Sequence, residues 1–97
     1  MADRNPPQPL GDVLEDVIEQ LGLEEKMDEA RVIETWAAVA GPDINGVTES
    51  AWMKGSTLYV KIRSSTWRQE LHMNRRQWRT RLNDELDAEL VDEIVFR

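Results

Sequence analysis

Residues Thr57–Leu71 read TLYVKIRSSTWRQEL, and the hydrophobic rhythm changes partway through them. Leu58, Val60 and Ile62 alternate with Tyr59, Lys61 and Arg63, the period of a strand with one buried face. Beyond the paired serines, Trp67 and Leu71 stand four apart, and Trp78 and Leu82 repeat that spacing in a helical phase. Ser64 or Ser65 supplies the hydroxyl that caps a helix start. A strand passing almost directly into a helix puts both element types in one small unit.

Working outward, Lys54-Gly55-Ser56 has tight-turn chemistry and is preceded by a second strand over Val47–Met53. Downstream, the helix is expected to run to Leu86. Asp87–Leu90 then connects it to a third strand in VDEIVF, which holds Ile94 and Phe96. Toward the start, Leu10, Val13, Leu14, Val17, Ile18 and Leu21 form one apolar stripe, with Gly22 as the expected stop. A further helix over Glu25–Ala40 carries Met27, Ala30, Ile33, Trp36 and Ala37 at helical spacing and closes at Gly41-Pro42. The predicted fold class is α+β, in the order α-α-β-β-α-β: three helices against a short, mostly antiparallel sheet, packed as two layers. Residues 1–9 are expected to be a disordered tail and residues 10–97 a single domain. The predicted core is Leu14, Ile18, Ile33, Trp36, Leu58, Val60, Trp67, Leu71, Trp78, Leu82, Ile94 and Phe96.

The 97 residues contain no cysteine, which excludes disulfides and thiolate metal sites. No apolar run approaches the roughly 20 residues of a membrane span. The first ten residues lack the apolar stretch of a signal peptide, so the expected compartment is the cytoplasm. Net charge is -7, but it is unevenly spread. Residues 1–50 carry twelve acids against three bases, residues 51–82 one acid against eight bases, and residues 83–97 six acids against one base. A basic middle in an acidic chain suggests an anionic partner, although acidity with nine Arg also suits a protein adapted to high salt.

On one continuous helix with Arg68 at zero, Arg68, His72, Arg75, Arg76 and Arg79 fall within roughly 100° of one another. They border the stripe of Trp67, Leu71, Trp78 and Leu82, and only Glu70 is available for pairing within the helix. With Lys61 and Arg63 from the strand end they are the candidate phosphate ligands, because the guanidinium fork matches phosphate oxygens. Tyr59, on the outward register, is the candidate for base stacking. The chain shows no serine elbow, Walker loop, dinucleotide fingerprint or His-x-x-x-His pair. It therefore reads as a binding module and not an enzyme, with no cofactor, metal or small-molecule substrate.

The series ETWAAVAG (Glu34–Gly41), KGSTLYVKI (Lys54–Ile62), SSTWRQEL (Ser64–Leu71), RLNDEL (Arg81–Leu86) and VDEIVFR (Val91–Arg97) resembles the DciA-type family of bacterial replicative-helicase operators or loaders. The resemblance implies a KH-like domain that binds DNA and the DnaB-type helicase. Trp36, Ser65, Trp67, Glu70 and Leu71 match family motif positions and are expected to be mainly structural. The chain departs from ordinary KH domains in lacking a G-x-x-G loop, since GPDING has the wrong spacing. It is also expected to lack the long extra segment that many relatives carry. The expected partners are therefore DNA, single-stranded or forked and held through its phosphates, and a replicative helicase, with no membrane. Two alternatives stand beside this: a protein-interaction module without nucleic-acid binding, and an RNA-binding KH-like protein.

Overall fold

The computed structural model describes residues 10–97, with side chains from residue 23 onward. The expected tail at residues 1–9 lies outside the described residues, and the expected core positions Leu14 and Ile18 lie outside the described side chains. The elements are α1 (Leu10–Gly46), β1 (Thr48–Lys54), β2 (Thr57–Ile62), α2 (Ser65–Met73), α3 (Arg75–Leu86) and β3 (Glu93–Phe96). This is the small α+β domain expected, three helices with a three-stranded, mostly antiparallel sheet.

The helical boundaries differ from the sequence-based ones in two places. First, no break occurs at Gly22, and α1 continues through it. A mid-helix glycine costs only about 1 kcal/mol relative to alanine, and Leu21, Leu23, Glu24 and Glu25 are good helix formers. The true interruption is Gly41, whose φ of 84° and ψ of 176° lie outside the helical region. Pro42 then opens one further helical turn, a position that suits its missing N–H. Asn45 Nδ2 donates to the Ala37 carbonyl at 2.8 Å across this kink, and Ile44 is driven into the core.

Second, the helix expected over Ser65–Leu86 is two helices meeting at Asn74. The Asn74 N–H lies 3.3 Å from the Glu70 carbonyl and 3.2 Å from that of Leu71, while its Nδ2 donates to the Glu70 carbonyl at 2.9 Å. A side chain that competes for backbone carbonyls in this way loosens the regular ladder. At the start of α2, Ser64 Oγ accepts the Trp67 N–H at 3.3 Å, a side-chain cap.

The sheet order is β1-β2-β3. β1 and β2 form an antiparallel hairpin closed by Gly55 and Ser56, and Gly55 takes the positive φ of 62° that such two-residue turns demand. β3 pairs parallel to β2, so the chain must cross over between them, and α2–α3 is that crossover. The helices cover one face of the sheet. Leu58, Val60, Ile62, Ile94 and Phe96 point into it and are buried with Val32, Trp36, Ile44, Leu71, Leu82, Leu86 and Val91. Ile33, Trp67 and Trp78 are half-buried against this core.

One buried polar residue holds the α3–β3 connection. Asn83 is 8% exposed; its Nδ2 donates to the Val91 carbonyl at 2.8 Å and its Oδ1 accepts the Val91 N–H at 3.1 Å. Past Asn83, α3 ends at Leu86 with Asp87 capping it in the left-handed region (φ 55°), and the Arg31 guanidinium from α1 donates to the Leu86 carbonyl. Replacing Asn83 by Ala strips both buried partners from Val91 and is expected to cost about 1–3 kcal/mol. Urea denaturation should show a lower midpoint at unchanged slope, and an unmoved midpoint would contradict the assigned role.

Candidate nucleic-acid interface

The break at Asn74 redistributes the basic residues that a straight helix would have aligned. His72, Arg75, Arg76 and Arg79 collect around the α2–α3 junction. Arg75 donates to the His72 carbonyl at 2.9 Å, with His72 Nε2 at 3.4 Å from the same nitrogen. Arg79 donates to the Asp92 carbonyl at 3.4 Å. Arg75, Arg76 and Arg79 line one cleft of about 220 Å³, whose opposite wall is Asp92, Glu93 and Ile94 at the start of β3.

Arg63 and Arg68 lie elsewhere. Arg63 donates to the Gly46 carbonyl, and Arg68 donates to the Ile62 carbonyl at 3.0 Å, both at the end of β2. Because β2 and β3 run parallel, with Thr57 opposite Glu93, the start of β3 and the end of β2 are opposite poles of the sheet. Five residue steps along β2 separate them by about 16 Å. Lys61, also near the end of β2, is engaged with Glu49 at 3.6 Å, both side chains being largely exposed. The expected single shelf is thus two groups: a junction group of His72, Arg75, Arg76 and Arg79, and a strand-end group of Arg63 and Arg68 with the paired Lys61.

The bonds of these arginines are more informative than their positions. Arg63, Arg68, Arg75 and Arg79 each give a hydrogen bond to a backbone carbonyl, and Lys61–Glu49 is the only ion pair among the described residues. A carbonyl orients a guanidinium without neutralising it. Each fork thus has most of its five donors without a partner among the described residues. Asp92 and Glu93 temper the junction cleft without pairing with its arginines.

Two further arginines, which the helical wheel did not select, lie on aromatic rings. Arg81 sits 5.2 Å over Trp78, and Arg97 sits 4.8 Å over Tyr59. The second ring has another neighbour, since Trp52 stacks on Tyr59 at 5.5 Å with only 7° between the planes. Tyr59, the sequence-based stacking candidate, is therefore flanked by Trp52 from β1 and Arg97 from the β3 side. The missed partner could have been found by counting. A two-residue turn at Gly55-Ser56 pairs Lys54 with Thr57, and hence Trp52 with Tyr59. Among the described residues no group of His, Asp and Glu is placed to hold a metal ion, and no helix is long and apolar enough to cross a membrane.

Comparison with known proteins places the chain in a defined neighbourhood. The family described as "Dna[CI] antecedent, DciA" matches residues 9–96. A UPF0232 protein of Rhodococcus jostii (strain RHA1) is 31% identical over 75 residues, covering 77% of this chain and 40% of that protein. The chain thus spans less than half the length of that curated relative.

The exposed Lys61–Glu49 pair should contribute little to stability. A double-mutant cycle with Glu49→Ala and Lys61→Ala is expected to give a coupling below about 1 kcal/mol that shrinks further with added salt. A larger, salt-insensitive coupling would show that Lys61 is locked to the protein and closed to other anions.

Proposed function

The chain belongs to the DciA family, and on that footing we propose that it is a DNA-binding accessory of a DnaB-type replicative helicase, working in the cytoplasm and assisting the helicase onto DNA. Arg75, Arg76 and Arg79 grip backbone phosphates at the junction cleft, and Arg63 and Arg68 provide a second contact. The two groups stand toward opposite poles of the sheet, about 16 Å apart along β2, so one strand must run along the sheet to reach both. Support comes chiefly from the guanidinium groups that are fixed by carbonyls yet uncompensated by carboxylates among the described residues. An arginine kept only for helix stability would be expected to face an acid three or four residues away. These contacts address phosphate and carry no base sequence by themselves.

The decisive measurement is anisotropy titration of single-stranded, duplex and forked DNA at several salt concentrations. Three to five phosphate contacts predict a loss of roughly 20- to 100-fold in single-strand affinity between 50 and 200 mM salt. The Arg75→Glu/Arg76→Glu variant should bind far more weakly and with a shallower salt slope. No binding at low salt, or unchanged binding by the variant, would refute the phosphate role. An RNA strand of equal length in competition separates a DNA protein from an RNA one.

A protein-docking role draws on a different observation. On α1, Leu23 and Met27 are 60% and 62% exposed, one turn apart, among the exposed acids Glu24, Glu25 and Asp28 and a single exposed base, Lys26. An apolar pair within an acidic surround suits a basic protein partner more than DNA. Replacing Leu23 and Met27 by Asp is expected to abolish capture of the helicase while leaving DNA titration unchanged. Retained capture would put the partner contact elsewhere.

A further inference from the structure

The helices cover one face of the sheet, and on the other the described side chains are half-buried or exposed. Register places Trp52 beside Tyr59 and Tyr59 beside Val95 on this outer face, because their neighbours Met53, Leu58 and Ile94 point inward. Three planar groups follow one another across it. Arg97 lies over Tyr59 at 4.8 Å, and Tyr59 lies parallel to Trp52 at 5.5 Å. β1 and β3 flank β2 on opposite sides, so the two neighbours reach the Tyr59 ring from opposite directions. Arg97 is itself held by its backbone, its N–H donating to Val60 at 2.9 Å and its carbonyl accepting from Ile62 at 2.7 Å.

This ladder ends at an edge. Among the described residues β1 has no strand beyond it, and no other aromatic ring or stacked cation lies on Trp52. Trp52 is half-buried, and the ring face turned away from Tyr59 carries no further aromatic or cationic partner among the described residues, so it is the end of a prearranged stack. We propose that this outer face of Trp52 is a stacking subsite for an unpaired nucleobase. The proposal rests on the nucleic-acid function argued above and adds to it the form of the strand, which must offer bases free of their partners.

The surroundings fit a nucleotide. Lys54 lies two residues along β1 on the same face, about 7 Å from Trp52, within reach of the phosphate next to a stacked base. Ser50 lies as far in the other direction, opposite Lys61, and offers a hydroxyl. Glu49 is engaged by Lys61, and Glu93 is on the far strand, opposite Thr57. Every base has a π-face, so such a contact favours single strands without selecting sequence. An apolar protein side chain could also cover a tryptophan, but it would gain nothing from the planar Arg97–Tyr59–Trp52 order.

The test uses a single strand of about twenty nucleotides, its duplex, and a strand of the same length with abasic sites, titrated against Trp52→Ala, Trp52→Leu and Trp52→Phe. Stacking on one base predicts a 5- to 100-fold loss of single-strand affinity for Ala, a similar loss for Leu, and near-complete rescue by Phe. Duplex and abasic binding should be unchanged throughout, and thermal midpoints should confirm that the variants fold. If Ala and Leu bind the single strand as the parent does while Arg75→Glu does not, the subsite is refuted and the phosphate grip stands. If the parent protein binds no strand at low salt, both are refuted. If Trp52→Ala loses capture of the helicase and keeps single-strand affinity, the face is a protein dock and the proposal is overturned.

Discussion

The arrangement of this domain depends on the Trp36 ring. It is 1% exposed and meets Trp78 edge-on at 5.4 Å and 71°, and Phe96 at 5.7 Å and 50°. Those three side chains come from α1, α3 and β3, so one contact cluster joins the long helix, the crossover and the parallel strand. Each aromatic pair adds about 0.5–1.5 kcal/mol beyond the area it buries. The cluster also has a cost, because the Trp36 indole N–H is buried with no acceptor among the described residues. A ring of this size accepts that penalty for the gap it fills between three elements. Its functional consequence is positional: with α3 fixed against β3, Arg79 reaches the Asp92 carbonyl and the junction cleft has two walls.

Among the described residues, charge is mostly separated instead of paired, with Lys61–Glu49 the one ion pair. Acids dominate α1 and the stretch from Asp84 to Glu93, while the basic groups are oriented by carbonyls and aromatic rings. Such an arrangement gives up the small stabilisation that surface ion pairs would provide. In exchange, the guanidinium groups remain available to an outside anion. The acidic remainder limits how strongly the whole protein is drawn to any polyanion, which favours contacts that are specific in geometry over general adhesion.

How much the sequence disclosed varied with the range of the interaction. The alternation in β2, the Gly55-Ser56 turn and the Ser64 cap are local, and all were legible. Gly22 and Asn74 were misjudged for opposite reasons: a glycine flanked by strong helix formers was absorbed, and an asparagine within an apolar stripe was not. The wheel that drew Arg68 toward Arg75 assumed a straight axis, so the Asn74 break split the basic band. Asn83 could not have been assigned, because its partner Val91 is known only once the connection closes. Trp52 was legible in principle from hairpin register, but Arg97 needed the parallel pairing of β3, which no local pattern encodes.

The length of α1 has a consequence of its own. At 37 residues it measures about 55 Å, and the molecule extends 62 Å along its longest axis but only about a third of that across. Among the described side chains, the packed region supplied by this helix begins near Val32, and the residues from Leu23 to Asp28 are exposed. The protein is accordingly a rod with a globular head, and whatever engages the shaft does not compete for room with whatever lies against the head. Two large bodies can be bridged by one small chain without touching each other.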